Sequence, residues 1–543
     1  MDSALRVIIV GGVAGGMSAA TRLRRLDEHA TITVLERGEH VSFANCGLPY
    51  HLSDTIPDRE SLLLHTPATL AARFNIDVRT RHEVQAIDRA ARTVTVCDLR
   101  TGVVHVMPYD KLVLSPGASA VKPPLPGVEL GFVLRSVTDL DRLKEAVDGR
   151  GREVVVIGAG FIGVEVAENL SEAGKHVTMV EAAPQVLPPL DAEMAAPVAA
   201  ELRRRGITLH LGVSVQSIQP DSITLADGRT VPADVVVLAV GVRPEDSLAR
   251  DAGLDVHARG GILVDDTLRT NDQDIYAVGD AALVRDPLGN TVFVPLAWGA
   301  NRQGRLVADH IMGHEIHFGG HPATAIAKVF DLTVASTGLN ERQLNAQGIH
   351  PAVVHTHPGS HAGYYPGAET IHIKLLFDRV SGRIYGAQAV GGAGTDKRID
   401  VIATALHAGL TAPELADLPL AYAPPYGSAK DPVNMLGYIA ENIIDGLSST
   451  IQWHELEASK RTVVDVREQS EVAAGGMSAA RNIPLPELRD HLDELRGQRV
   501  AVLCHVGLRG HTATRILEGA GIDAVNIDGG YLTWAAGQAS LAV

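Results

Sequence analysis

The sequence predicts an α/β protein of several domains, on three observations. First, "RVIIVGGVAGGMSAATRLRRL", continuing to "TITVLERG", runs apolar strand, glycine turn, amphipathic helix, then a second strand closed by a glutamate. Second, "REVVVIGAGFIGVEVAENLSEAGKHVTMVEAAP" repeats that grammar, which is a βαβ unit and predicts parallel sheet. Third, the pattern turns to α+β from about residue 320. From about 456, "RTVVDVRE", "RVAVLCHVGLRGHTATRILEGAG" and "AVNIDGGYLTW" form a small α/β unit of their own. At roughly 150 residues per domain, 543 residues leave room for about three or four domains.

The bulk numbers exclude several classes. With 48 basic and 64 acidic residues, the net charge of −16 argues against nucleic acid as a partner. Three cysteines cannot build a disulfide framework, so a reducing, cytoplasmic setting is expected. No run approaches the roughly 18 apolar residues of a membrane span. The N-terminal apolar run passes straight into a glycine turn, unlike a secretory signal. No metal site is expected.

In the first turn Gly11, Val13 and Gly16 occupy the three positions of G-x-G-x-x-G, with valine at the second. Gly12 and Gly15 keep the turn open for backbone to approach a pyrophosphate. A helix starting near Ala14 would aim its N–H groups at that anion, and Glu36 stands where a carboxylate can accept ribose hydroxyls. The second turn has all three glycines, Gly158, Gly160 and Gly163, with Glu181 at its acidic position. A carboxylate there repels a 2′-phosphate and favours NAD over NADP. Asp280 in "YAVGDAA" follows a strand and suits a second dinucleotide contact.

Here residues 1 to about 445 resemble the pyridine nucleotide–disulfide oxidoreductases. The resemblance implies two Rossmann-like domains: an FAD domain over 1–117 and 245–320, split by an NAD(P)H domain over 118–244. An α+β dimerisation domain over 321–445 and a linker over 446–455 follow. It implies FAD contacts from Gly11, Val13, Ala14, Gly16, Glu36, Arg37, Val84, Ser115, Gly117, Asp280 and Ala297. NADH is expected on the second turn, NADPH being the weaker candidate.

"SFANCGLPY" places Cys46 among turn formers just after the first unit, with Ser42 four residues before it. Cys97, inside "RTVTVCDL", reads as a buried structural thiol. A lone thiol cannot store two electrons as an internal disulfide, but it can as a mixed disulfide, sulfenic acid or persulfide. The stretch resembles the single-cysteine branch, the coenzyme A-disulfide reductases, with NADH oxidases and peroxidases as cousins. Ser18, Arg22 and Arg25 share one helix face, either a solvated basic face or a phosphate clamp. The resemblance implies the clamp, for coenzyme A, helped by Ser42, Asn45 and Lys430. "HAGYYPGA" and "YAPPYGSAKDPVNM" imply that two partner-subunit tyrosines reach over the site. They match Tyr364 and Tyr422 by position, with Tyr365 and Tyr426 close by. A homodimer follows. Asn301 departs from the histidine of a close relative's pattern.

"CHVGLRG" starts at Cys504, between the strand "RVAVL" and a helix. Amides of a loop opened by Gly507, plus a helix N-terminus, would stabilise a persulfide anion. Residues 456–543 resemble the rhodaneses, through "VVDVRE" with Asp465 and Arg467, "ARNIP" and "DGGYLTW". Departures are Gly476 in place of a structural histidine, His505 in the loop and Gly510 rather than Ser or Thr. Thiosulfate is therefore expected to be a poor donor. Arg509 stays in the loop. Cys504 is expected on a surface-type loop, and Cys46 in a coenzyme A-sized channel. Together the resemblances imply an NADH-dependent persulfide, polysulfide or coenzyme A-disulfide reductase. The rivals are an NADH oxidase or peroxidase cycling Cys46 through sulfenic acid, and a redox-sensing binding module.

Overall fold

The computed structural model describes residues 4–149 and 151–542; the outer ends of the expected domains (1–3 and 543) and residue 150 lie outside the described residues. The chain forms two compact units, residues 1–180 with 213–323, and residues 181–212 with 324–543.

In the first unit, β1 (Arg6–Val10) is the centre of a five-stranded parallel sheet. α1 (Ala14–Leu26) connects it to β2 (Thr31–Glu36), which pairs with β1 in register Val10↔Leu35. Strands Lys111–Leu114 and Ile275–Ala277 extend the other side. The near-continuous apolar runs of these strands follow from burial on both faces. Helix Ala297–Ile311 crosses α1 so closely that a Cβ on Gly304 would collide with the Gly15 carbonyl oxygen. Strand Thr93–Asp98 carries Cys97, which is buried as expected.

The second βαβ unit begins with strand Glu153–Ile157, flanked in parallel by Val235–Leu238 and His176–Glu181. The two chain crossings expected near 118 and 244 lie side by side: Ala118–Ala120 pairs antiparallel with Val242–Pro244.

In the second unit, a five-stranded antiparallel sheet runs in the order Ala325–Val329, Leu332–Gly338, Ile384–Gly391, Ile371–Phe377, Ala352–Thr356. Helices Thr395–Ala408 and Pro432–Ile444 share its apolar core. Helix Ala192–Arg204, expected with the nucleotide domain, belongs to this unit. Gln388 Oε1 accepts the Asp191 N–H at 2.7 Å, and Lys374 pairs with Glu193 at 2.6 Å. These polar partners lie far apart in sequence, so no local pattern announces them. The last domain is a parallel sheet in the order Thr450–Ile451, Asp523–Ile527, Arg499–Leu503, Thr462–Asp465, Arg481–Asn482. Its edge strand therefore lies inside the expected linker, because two residues suffice to pair with Asn526 and Ile527. Among the described residues no helix is long and apolar enough to cross a membrane.

Candidate active site

The first turn leaves no room for side chains. Gly11 has φ +97°, and a Cβ on it would collide with the Ser115 carbonyl oxygen. A Cβ on Gly16 would collide with the Gly11 carbonyl oxygen. α1 starts at Ala14 without a side-chain cap, so no capping side chain satisfies its first N–H groups. Beside the turn lies a cavity of about 480 Å3. Its lining includes Val13, Ala14, Glu36, Arg37, Ser115, Gly117, Asp280 and Ala297, together with Asn45 and Cys46. The structure does not bring Val84 there: it packs against the apolar cluster of Ile8, Val10 and Leu35. Glu36 accepts the Gly12 N–H at 2.8 Å and the Gly38 N–H at 2.7 Å. A carboxylate oxygen has two lone pairs, so each retains one for a ribose hydroxyl.

Arg135, unmarked in the sequence, also lines the cavity. It donates to Asp280 at 2.8 Å and to the Ala118 carbonyl at 2.9 Å. Burial pushes the Asp280 carboxyl up, and the guanidinium pulls it back. A helix N-terminus without a side-chain cap and pinned acids fit the pyrophosphate and hydroxyls of a dinucleotide.

Cys46 sits in the helical turn Asn45–Gly47, open to solvent on one side, with its sulfur 3.7 Å from Asn45 Oδ1. Ser42 adopts φ +49° and ties its N–H to the Gly12 carbonyl at 2.8 Å, which joins the cysteine stretch to the first turn. Protein packed beneath pushes the Cys46 thiol up. Glu165 adds to this, Arg135 opposes it, and Asp280 adds a smaller push. Glu165 is itself pushed up to about 7 by burial and by Glu168. Tyr50 donates to Glu165 at 3.5 Å. Sequence reasoning missed this pair; the available signal was Glu165 and Glu168 in the middle of the apolar helix Phe161–Glu172.

On the first helix face, Ser18 donates to Asn301 Oδ1 at 2.6 Å, and Arg22 is held by Asp309 at 2.6 Å. Arg25 is exposed, its guanidinium 5.4 Å from the Phe74 ring centroid. The structure thus commits Arg22 to an internal ion pair and leaves Arg25 on the surface.

The second turn repeats the first. Gly158 has φ +104°, and a Cβ on Gly163 would collide with the Gly158 carbonyl oxygen. A Cβ on Gly160 would meet nothing within 4 Å. In the other unit, Glu181 ends its strand and accepts the Ala183 N–H at 2.8 Å. There too Tyr364 and Tyr422 share a hydroxyl–hydroxyl bond of 2.7 Å on the surface, with Lys430 exposed.

Cys504 follows strand Arg499–Leu503, and its sulfur accepts the Gly507 N–H at 3.1 Å. Gly507 has φ +94° and caps helix Leu508–Gly519. Contrary to the surface-type expectation, Cys504 is fully buried, because the Gly529–Gly530 backbone packs across its loop. Arg509 is clamped bidentately by Glu471 at 2.6 and 2.7 Å, which holds that carboxyl down at about 2. Asp465 and Arg467 form a buried pair at 2.7 Å.

Residues 5–304 match the pyridine nucleotide-disulphide oxidoreductase family model, 324–431 its dimerisation domain, and 450–537 the rhodanese-like domain. Over 439 residues the chain is 38% identical to a coenzyme A disulfide reductase of Staphylococcus aureus, covering 80% of this chain and all of the relative. The reduced CoADR-RHD structure of Bacillus anthracis superposes with a TM-score of 0.96 at 46% identity, over 98% of each chain. The NAD-dependent persulfide reductase of A. fulgidus gives 0.92 at 38% identity, over 98% of this chain and all of that one.

Proposed function

This chain belongs to the pyridine nucleotide-disulphide oxidoreductase family, with a rhodanese-like domain at its end, and from that premise we propose that it is an FAD-dependent NADH:persulfide or polysulfide reductase. Coenzyme A persulfide and coenzyme A disulfide are included among its substrates. One observation carries the reading: a single cysteine, Cys46, lines the cavity beside the fingerprint turn, while Cys97 is buried in a strand. With no resolving cysteine beside it in sequence, the redox partner of Cys46 is the substrate's own sulfur.

The fingerprint turn, Glu36, Ser115 and Asp280 would hold FAD, which when bound supplies the two-electron relay from the nicotinamide. Gly158, Gly160, Gly163 and Glu181 support NADH in preference to NADPH. The Cys46 thiolate attacks the carbon-bound sulfur of a persulfide R–S–SH, forming Cys46–S–S–R and releasing hydrosulfide. Two electrons from NADH break that bond and return the Cys46 thiolate and R–S⁻. Coenzyme A would lie along Ser18, Arg25, Ser42 and Asn45, with Lys430 and the Tyr364–Tyr422 pair contributed across a cytoplasmic homodimer. The rhodanese-like domain favours this reading over the oxidase, which has no use for a second sulfur-binding loop. Coenzyme A would carry sulfane sulfur between Cys504 and Cys46.

The test is Cys46→Ser. The variant should keep FAD and lose NADH-driven persulfide reduction; retained turnover overturns the mechanism. In wild-type stopped-flow reduction NADH should outpace NADPH, and the reverse order would overturn the role given to Glu181.

A further inference from the structure

The loop around Cys504 rests on a pair of glycines. A Cβ on Gly530 would lie 2.7 Å from the Gly507 nitrogen and 2.9 Å from the His505 carbonyl carbon. The next residue, Tyr531, donates its N–H to the Cys504 carbonyl at 2.7 Å. On its other side the glycine pair meets strand Ala352–Thr356 of the preceding antiparallel domain, where a Cβ on Gly529 would lie 2.7 Å from His355 Cβ.

Asp528, just before the glycines, is fixed by that strand. Its Oδ2 accepts the His355 N–H at 2.9 Å, His355 Nδ1 at 2.6 Å and Gln452 Nε2 at 3.2 Å. His355 Nε2 reaches Glu193 Oε1 at 3.0 Å, so both ring nitrogens face carboxylates and both donate. Glu193 shares Lys374 with Asp191 and Glu341, at 2.6, 2.9 and 2.7 Å, so the ammonium and the imidazolium meet at the same carboxylate. His357 adds a contact to Thr533 at 2.8 Å.

We propose that His355, a residue of the dimerisation domain, is a positioning residue for the sulfur loop of Cys504, acting through Asp528 and the Gly529–Gly530 pair. The Gly507 amide aims at the Cys504 sulfur only while the glycine pair is held, and the holding group lies outside the domain that carries the cysteine. This rests on the sulfur-handling reading of Cys504.

The experiment uses the full chain in a Cys46→Ser background, so that flavin-site chemistry does not contribute. Sulfur transfer from inorganic polysulfide to cyanide through Cys504 is measured, together with hydrogen exchange at the Gly507 and Tyr531 amides. His355→Leu should lower kcat about tenfold with KM little changed, because the amides and not the donor's entry are disturbed. It should also deprotect both amides. His355→Gln, which keeps an N–H for Asp528, should restore most of the rate and the protection. If His355→Leu does not fold, Asp528→Asn replaces it with the same expectation, since a neutral acceptor holds the imidazolium less firmly. Wild-type kcat and protection in these variants overturn the proposal. If the wild type itself transfers no sulfur, the sulfur-handling reading fails, and amide protection alone decides the positioning claim.

Discussion

Cys46 sits between opposing fields. Arg135 favours its thiolate; burial, Glu165 and, more weakly, Asp280 disfavour it. Glu165 faces Tyr50 and Glu168 and titrates near neutrality, at about 7. Above that pH its charge works against a thiolate, and below it the opposition fades. Replacing Glu165 by Gln removes the charge at every pH, so the midpoint of Cys46 alkylation should move down. Peptide mapping after iodoacetamide at a series of pH values reads this directly, because Cys97 and Cys504 are buried. An unchanged or higher midpoint would reject the coupling of Glu165 to Cys46.

At the level of elements, the second glycine turn has one glycine fixed by packing and one facing open space. Gly163 lets the helix Phe161–Glu172 approach the strand before it, since a Cβ would strike the Gly158 carbonyl. Gly163→Ala should cost about 1–3 kcal/mol of stability by overpacking, visible as a lower Tm. Gly160 faces open space, so Gly160→Ala should fold normally. There the new methyl occupies the room that a pyrophosphate needs, and KM for NADH should rise about tenfold, or about 1.4 kcal/mol. An unaltered KM would mean that the nucleotide's phosphates do not approach this turn.

Across the C-terminal unit, a buried charge network ties three parts of the chain together: helix Ala192–Arg204, the antiparallel sheet and the last domain. Lys374→Met would strip the ammonium from Asp191, Glu193 and Glu341 and leave only the His355 imidazolium beside Glu193. A loss of about 3–5 kcal/mol is expected, measured by denaturant unfolding. His355 adds a pH dependence. Its hydrogen bonds to Asp528 and Glu193 outweigh burial and hold it up at about 9, above its unfolded value of about 6.5. Its stabilisation is therefore complete below about 6.5 and is lost as pH rises through about 9, on the order of 3 kcal/mol in all. Wild-type Tm should fall more steeply between pH 7 and 10 than that of His355→Gln. Parallel slopes would show that His355 does not carry the charge.

Both glycine turns, the glutamates closing their second strands, the lone Cys46 and the Cys504 loop were legible because each obeys a short-range rule. A left-handed turn needs glycine, a buried parallel strand needs an apolar run, and a helix N-terminus must follow the anion loop within a few residues. The burial of Cys504 was not legible, since the glycines covering it lie 25 and 26 residues on, at Gly529 and Gly530. Nor was the ion pair that occupies Arg22, nor the absence of Val84 from the cavity. Arg135 beside Asp280, Tyr50 against Glu165, and His355 against Asp528 came only with the tertiary structure. Each joins residues more than a hundred positions apart in sequence. A charge or hydroxyl carries no periodicity by which to find its partner. Packing alone decides which distant group it meets, and burial then turns that meeting into a shifted proton equilibrium or a fixed loop.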